Sequence, residues 1–183
     1  MMLKGKESKM ESRLWNSEYD GWAEIHKITQ ITPTLFLGGE AGVAASRLLA
    51  LGIKGVLNVA KEIHDVFRYG EDLASVHFPF KDRIEMAPWM VEEALRCLKA
   101  MEKSGPVYVH CGVGVSRSPT ILGLYLFATG RAKSLPDALR ILEEKRPCVN
   151  PSRDLMTPEV WAVAVRLKKN WAKKNQKAVS LVG

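Results

Sequence analysis

Cysteine is scarce in this chain: there are three among 183 residues, Cys97, Cys111 and Cys148, an odd number without paired spacing. That argues against a disulfide framework and against a cysteine-based zinc site, and leaves free thiols, one of which can be reactive. Long apolar runs are missing too. No stretch approaches the roughly 20 residues needed to cross a bilayer, and Met1 to Arg13 is polar and charged rather than the apolar core of a secretory signal. Together these absences lead us to expect a cytoplasmic protein, with the nucleus as the alternative. There are also no internal repeats, Gly/Ser linkers or low-complexity tracts. At 46% hydrophobic and 26% charged, 183 residues suit one globular domain with short extensions, not two catalytic domains or a disordered chain.

Acidic residues are missing from the stretch Arg166 to Gly183, which carries six basic ones: Arg166, Lys168, Lys169, Lys173, Lys174 and Lys177. Elsewhere the signs nearly balance, with four basic and two acidic residues up to Arg13 and 17 basic against 18 acidic from Leu14 to Val165. The net charge of +7 therefore belongs to the end of the chain. A near-neutral body offers no groove for nucleic acid, which is not expected as a partner. Basic residues at a helix end most simply form a solvated face, well placed against the helix dipole. A docking role toward an acidic partner or an anionic surface is the alternative, with Trp161, Val165 and Trp171 either packing on the body or marking an amphipathic contact.

What is present reads as alternating short strands and helices. Ile28 to Leu37 suggests two strands about the turn Thr32-Pro33-Thr34, ended by Gly38-Gly39. Glu40 to Leu51 has helical spacing and stops at Gly52. Lys54 to Ala60 and Ser75 to Phe80 read as strands, with a polar stretch between them that carries no assignment. Pro88 opens an amphipathic helix to Lys103, with Val91, Ala94, Leu95, Leu98 and Met101 on one face; Cys97 reads as a small core hydrophobe on this helix. Pro106 to His110 is a buried type of strand, followed by a helix from about Ser118 to Thr129. Ser134 with Asp137 resembles a capping box for a helix to about Lys145, and Thr157-Pro158 starts the last one. The fold class is therefore α/β, a central, mainly parallel sheet flanked by helices. Ligands in such folds gather at the carboxyl ends of strands.

The segment Cys111 to Ser118 (CGVGVSRS) sits at such an end. Gly112 and Gly114 let the backbone adopt positive φ, so that the N–H groups of Gly112, Val113, Gly114, Val115 and Ser116 turn into one concave nest at a helix N-terminus. A nest of that kind binds a phosphate-like dianion. Arg117 adds a planar fork suited to two phosphate oxygens, and the positive surroundings favour a thiolate at Cys111. A phosphate cradle with a thiolate at its floor is a phosphoryl-transfer site.

The run His110-Cys-Gly-Val-Gly114-Val-Ser-Arg117-Ser118 resembles the signature of the cysteine-dependent protein tyrosine phosphatases: His-Cys, two residues, Gly, two residues, Arg, then Ser or Thr. Its Ser-Arg-Ser ending is similar to the dual-specificity branch, and Leu35 to Gly38, Gly52 to Asn58, and Arg146-Pro147 with Asn150 resemble further blocks of that family. The resemblance implies a dual-specificity phosphatase-like fold over 28–165 as the catalytic domain, with 1–27 an N-terminal extension and 166–183 a basic helix end and tail. It implies a hydrolase acting on phosphorylated protein substrates without metal or cofactor. Cys111 would be the nucleophile, Arg117 and the loop N–H groups the phosphate binders, and Ser118 the hydrogen-bond donor to the thiolate. Asp82, 29 positions before Cys111, would be the general acid, with Asp72 and Glu85 as local rivals.

His110 is expected to order the loop through buried hydrogen bonds rather than to transfer protons. Asn150 either positions water or serves the turn before Pro151, and Cys148 either is inert or resolves an oxidised Cys111. Val113 and Val115 stand where phosphoinositide-directed relatives tend to carry lysine or arginine, which demotes inositol phosphates. The stretch after Asn150 lacks the Gly-Phe and Gln-Leu of many dual-specificity members. The competing readings are a phosphatase for a non-protein substrate (a phosphoglucan, an RNA 5′ end or a phospholipid) and a non-catalytic phosphate-binding scaffold.

Overall fold

The computed structural model describes residues 26–65 and 72–180. The expected extension 1–27 lies outside these apart from its last two positions, as do residues 181–183. Among the described residues five strands form one sheet: β1 (Thr29–Thr32), β2 (Leu35–Gly39), β3 (Gly55–Asn58), β4 (Ala74–His77) and β5 (Val107–Cys111), in the order β1-β2-β5-β3-β4. Only β1 and β2 pair antiparallel; β2 with β5, β5 with β3 and β3 with β4 are parallel. The central strand is thus the one that ends in Cys111. Covered on both sides, β3 and β5 are buried along their whole length, which is why they read as continuous apolar runs rather than alternating ones.

Alternation along the strands assigns each side chain to a face. Leu35, Leu37, Leu57, Val107, Val109 and Cys111 join the larger core, beneath α2 (Pro88–Ser104), α3 (Arg117–Ala128), α4 (Leu135–Lys145) and α5 (Pro158–Ser180). Phe36, Val56 and Tyr108 face the smaller core, closed by Leu48 of the short α1 (Ala45–Ala50) together with Ile53 and Leu73. Helix α3 is buried at every position: Ile121 to Ala128 is apolar all round, and the polar start, Arg117, Ser118 and Thr120, is buried at the loop after β5. Helix α2 instead buries Val91, Ala94, Leu95 and Leu98, the i, i+3, i+4, i+7 stripe; each of the leucines contributes about 1.5–3 kcal/mol by leaving water.

Element ends follow the local chemistry. Pro88 starts α2, and Ser134 Oγ accepts from the Asp137 N–H at 3.3 Å to start α4. The Asp137 carboxylate reaches back to the Lys133 N–H at 2.9 Å, one residue before the cap that a capping box would satisfy. Glu40 to Leu51 is not one helix: it is a 3-10 turn, Glu40–Gly42, then α1, separated by the extended Ala44. The interruption has a cause in tertiary contact, because the Glu40 N–H donates to Gly112 O at 2.8 Å and holds this segment against the loop after β5. The boundary expected at residue 166 falls inside α5, which runs without a break from Pro158 to Ser180. No helix among the described residues is long and apolar enough to cross a membrane.

Candidate active site

Strand β5 delivers Cys111, and α3 begins with Arg117 and Ser118; residues 112–116 bridge the two. The five carbonyls of this bridge all face outward into protein donors. Gly112 O accepts from Glu40 N–H, Val115 O from Asn150 N–H and Ser116 O from Thr120 N–H. Gly114 O and Val113 O accept from Arg146 Nε and Nη2 at 3.0 and 3.1 Å. By contrast, none of the five N–H groups of 112–116 donates to another described group. Because the C=O and N–H of a trans peptide point opposite ways, these donors lie on the other side of the bridge, at the N-terminus of α3.

Two glycines shape the bridge differently. Gly114 has φ +73°, and a Cβ there would sit 2.4 Å from Gly38 C and 2.8 Å from Arg146 Nη2. Gly112, expected to share that backbone, is not left-handed, and a Cβ there would meet nothing closer than 3.6 Å. Its carbonyl is fixed by Glu40 instead, so positive φ is not needed. Gly114→Ala is therefore expected to cost about 2–5 kcal/mol, combining a left-handed side chain with overpacking. Gly112→Ala is expected to stay within about 1 kcal/mol. Urea denaturation of the two variants measures the contrast.

Cys111 is nearly fully buried, and Ser118 Oγ lies 3.2 Å from its Sγ as donor. The Arg117 side chain, 5% exposed, crosses beside it. Its Nη1 donates to Glu62 Oε2 at 2.7 Å and to Phe80 O at 3.1 Å, and its Nη2 donates to Glu62 Oε1 at 2.5 Å. Hydrogen bonding from Arg117 holds the Glu62 carboxyl below the usual range; the bridge is thus kept down to pH values under that of an ordinary glutamate and is lost as acid protonates it. Arg117 Nε is buried without a hydrogen-bond acceptor, and Asp82 Oδ1 stands 3.3 Å from it, near enough for attraction but not aligned as a hydrogen bond. The next residue, Arg83, has φ +52°, strained backbone of the sort that persists where surrounding structure holds a loop in place. Asp82 is thus beside the loop arginine, while the structure records no such contact for Asp72 or Glu85.

Beneath the loop lies a buried polar chain. His110 Nε2 is 2.8 Å from Asp65 Oδ2, with both side chains fully buried, and the ring stacks on Tyr108. Asn58 Nδ2 donates to Asp65 Oδ1 at 2.7 Å and to Ile63 O at 2.8 Å, while Asn58 Oδ1 accepts from the Ala60 N–H. Sequence reasoning missed Glu62, Asp65 and the role of Asn58. A signal existed: Asn58 interrupts a buried apolar run, and a polar side chain there must find partners. Asn150 has an exposed side chain, and its backbone alone braces the loop. Cys97 is partly buried on α2 and Cys148 is buried. Among the described residues no group of three or more His, Cys, Asp or Glu could hold a metal ion.

The profile of the dual specificity phosphatase catalytic domain matches residues 35–158, a span that holds the whole loop with Asp82 and Arg146. The chain belongs to the dual specificity phosphatase family. Among curated relatives of this phosphatase domain, human dual specificity protein phosphatase 1 is 30% identical over 129 residues, covering 69% of this chain and 35% of the relative. Chicken dual specificity protein phosphatase 4 is 30% identical over 128 residues, covering 69% and 34%. The chain spans about a third of the length of these relatives. Solved structures agree in fold: DUSP15 superimposes with a TM-score of 0.66 at 20% identity, covering 80% of this chain and 95% of that one. Human DUSP28 gives 0.63 at 22%, covering 80% and 99%. The dual-specificity phosphatase domain is thus a mostly parallel α/β sheet with one antiparallel pair, as its sequence alternation implies.

Proposed function

We propose that this protein is a working dual-specificity phosphatase, hydrolysing phosphotyrosine and phosphoserine or phosphothreonine in proteins through a cysteinyl-phosphate intermediate. The observation that carries the proposal is the bridge 112–116, whose carbonyls are all tied away while its N–H groups stay free, with Cys111 at its floor. That is a preorganised site for the three equatorial oxygens of a phosphoryl group, with Arg117 Nε and its neighbouring edge as the charged donor. Cys111 Sγ attacks phosphorus as the ester P–O bond breaks, and Asp82 gives its proton to the leaving oxygen. Water then attacks phosphorus, Asp82 takes the water's proton, and the P–S bond breaks to return the thiolate. Ser118, 3.2 Å away, steadies the departing sulfur with its hydroxyl hydrogen. Nothing in this cycle draws on a metal or cofactor. A cytoplasmic setting belongs to the proposal, since the nucleophile works only while Cys111 is kept reduced.

Asp82→Ala tests the assignment of the acid. Turnover of phosphoserine, phosphothreonine and phosphotyrosine peptides is expected to fall about 10²–10⁴-fold, the ordinary worth of a positioned acid. An activated aryl phosphate, whose leaving group needs no proton, is expected to lose much less. Asp72→Ala and Glu85→Ala are the controls; the same pattern in either would move the acid there. Wild-type turnover of all three peptide classes is the expected mark of dual specificity, and hydrolysis of phosphotyrosine alone would narrow the reading.

A further inference from the structure

A second concavity lies at the opposite pole of the domain. It has a volume of about 580 Å³ and sits where α2 and α3 end, against α5 and the β1–β2 turn. Helix α3 begins at the catalytic loop and its last residue, Ala128, lines this cavity. Twelve helical residues separate the two, a distance of about 18 Å at 1.5 Å each. The cavity is therefore no part of the phosphate cradle.

Its lining carries Lys99, Lys103, Arg131 and Lys168 against a single carboxylate, Glu102. That carboxylate is already saturated: it accepts from Thr34 Oγ1, from Tyr125 Oη at 2.6 Å and from both terminal nitrogens of Arg131 at 2.7 and 2.8 Å. Three lysines remain with no carboxylate in ion-pair distance among the described residues. Two of them are fixed apart on different aromatic faces, Lys99 Nζ 3.9 Å from the Trp171 ring centre and Lys168 Nζ 4.0 Å from that of Phe127. Burial, with Lys103, Lys174 and Arg131 nearby, pushes the Lys99 ammonium below its ordinary range. Attraction to helix C-termini accounts for Lys103 in the last turn of α2. Lys168, in the middle of α5, is held in the same way, its Nζ donating to Ala132 O at 3.4 Å just past the end of α3, so it meets a partner through the outer side of a cation that is already half-placed.

Ammonium groups held at separate points around an open cleft match a row of negative charges better than one compact anion. Glu102 is seated by Arg131, Thr34 and Tyr125 alone, so the positive charge of the three lysines is left to an anion from outside, and charge complementarity makes that an acidic one. We propose that this cavity is a docking site for an acidic, Glu/Asp-rich segment of the phosphoprotein substrate, engaged while the phosphorylated residue occupies the catalytic loop. The inference rests on the phosphatase reading for its substrate, though not for its binding chemistry. An extended segment of about 6–8 residues spans the distance between the poles at roughly 3.3 Å per residue. Linkage of two weak contacts then raises apparent affinity without any change in the chemical step.

The test uses two phosphopeptides that differ in one block beginning about 6–8 residues from the phosphorylated position, a run of glutamates or the same run of glutamines. Wild-type protein is expected to show a KM about 3–10-fold lower for the glutamate peptide, with kcat equal, the size that two or three half-exposed ion pairs give. Lys99→Glu/Lys168→Glu is expected to erase or invert that preference while hydrolysis of p-nitrophenyl phosphate stays at wild-type level. Equal KM values in wild type, or a preference that survives the double substitution, would overturn the proposal. An unphosphorylated, fluorescein-labelled glutamate peptide separates docking from catalysis. Its binding, weakened by the double substitution and by salt, supports docking even if no phosphopeptide is hydrolysed. Binding of phosphatidylserine vesicles through the same lysines without binding of the peptide would overturn it in favour of a membrane surface.

Discussion

Cys111→Ser is expected to abolish hydrolysis of p-nitrophenyl phosphate, with kcat falling by at least about 10⁴-fold, the scale seen when an enzyme loses its nucleophile. The change is small in volume, and the hydroxyl can still accept the hydrogen bond that Ser118 now donates to sulfur. The fold and the cradle of N–H groups are therefore expected to survive, since none of the bonds that tie the carbonyls of 112–116 involves the Cys111 side chain. A serine hydroxyl keeps its proton at neutral pH and gains no base here, so it cannot attack phosphorus at a useful rate. Tungstate binding, followed by thermal shift, is expected to persist in the variant. Activity within tenfold of wild type would show that Cys111 is not the nucleophile.

Arg146→Met is expected to cost about 3–5 kcal/mol of stability, the scale for leaving several buried acceptors without their charged donor. Arg146 is fully buried, and its guanidinium donates to Gly114 O, Val113 O, Lys27 O and Thr29 Oγ1. Methionine fills similar space but leaves those four acceptors without this donor, and an unmade buried hydrogen bond is more costly than a made one is favourable. For a chain of this size the melting temperature is expected to fall by roughly 6–20 °C. Loss of the clamp also frees the carbonyls of 113 and 114 to turn, so the KM for p-nitrophenyl phosphate is expected to rise in whatever fraction stays folded. Arg146→Lys restores charge but not a fork that reaches four acceptors, and is expected to recover only part of the loss. Wild-type stability in both variants would show that the loop is braced elsewhere.

The sheet, helices α2 to α5 and the loop after β5 were legible because their signals are local: the apolar run at Val107, the stripe from Val91 to Leu98, Pro88 and Ser134 at helix starts, the glycine and arginine of the loop. The broken helix after Glu40 was not, since what breaks it is a hydrogen bond to Gly112, 72 positions away. Gly38-Gly39 read as a strand ending, whereas both residues lie in β2, where Gly39 passes so close to the loop that a Cβ would meet Gly112 O at 2.8 Å. Glu62 and Asp65 stand in the polar stretch where periodicity is silent, and only tertiary structure shows one gripping Arg117 and the other beside His110. Arg146 was visible as part of a family block. Nothing in its neighbours foretold that it would be buried with backbone carbonyls for partners.

The same contacts set an order of assembly. Glu62 meets Arg117 across 55 positions, Ser118 meets Gly38 across 80, and Arg146 meets Thr29 across 117. Contacts of such long separation are closed late, because the intervening chain must be ordered before they return anything. While the chain is being synthesised, strands β2, β3 and β5 can already pair, but within the bridge 112–116 the carbonyls of 113 and 114 are secured only once residue 146 has emerged, and that of 115 only with residue 150. Until then the strands exist without a pocket that can hold a phosphoryl group.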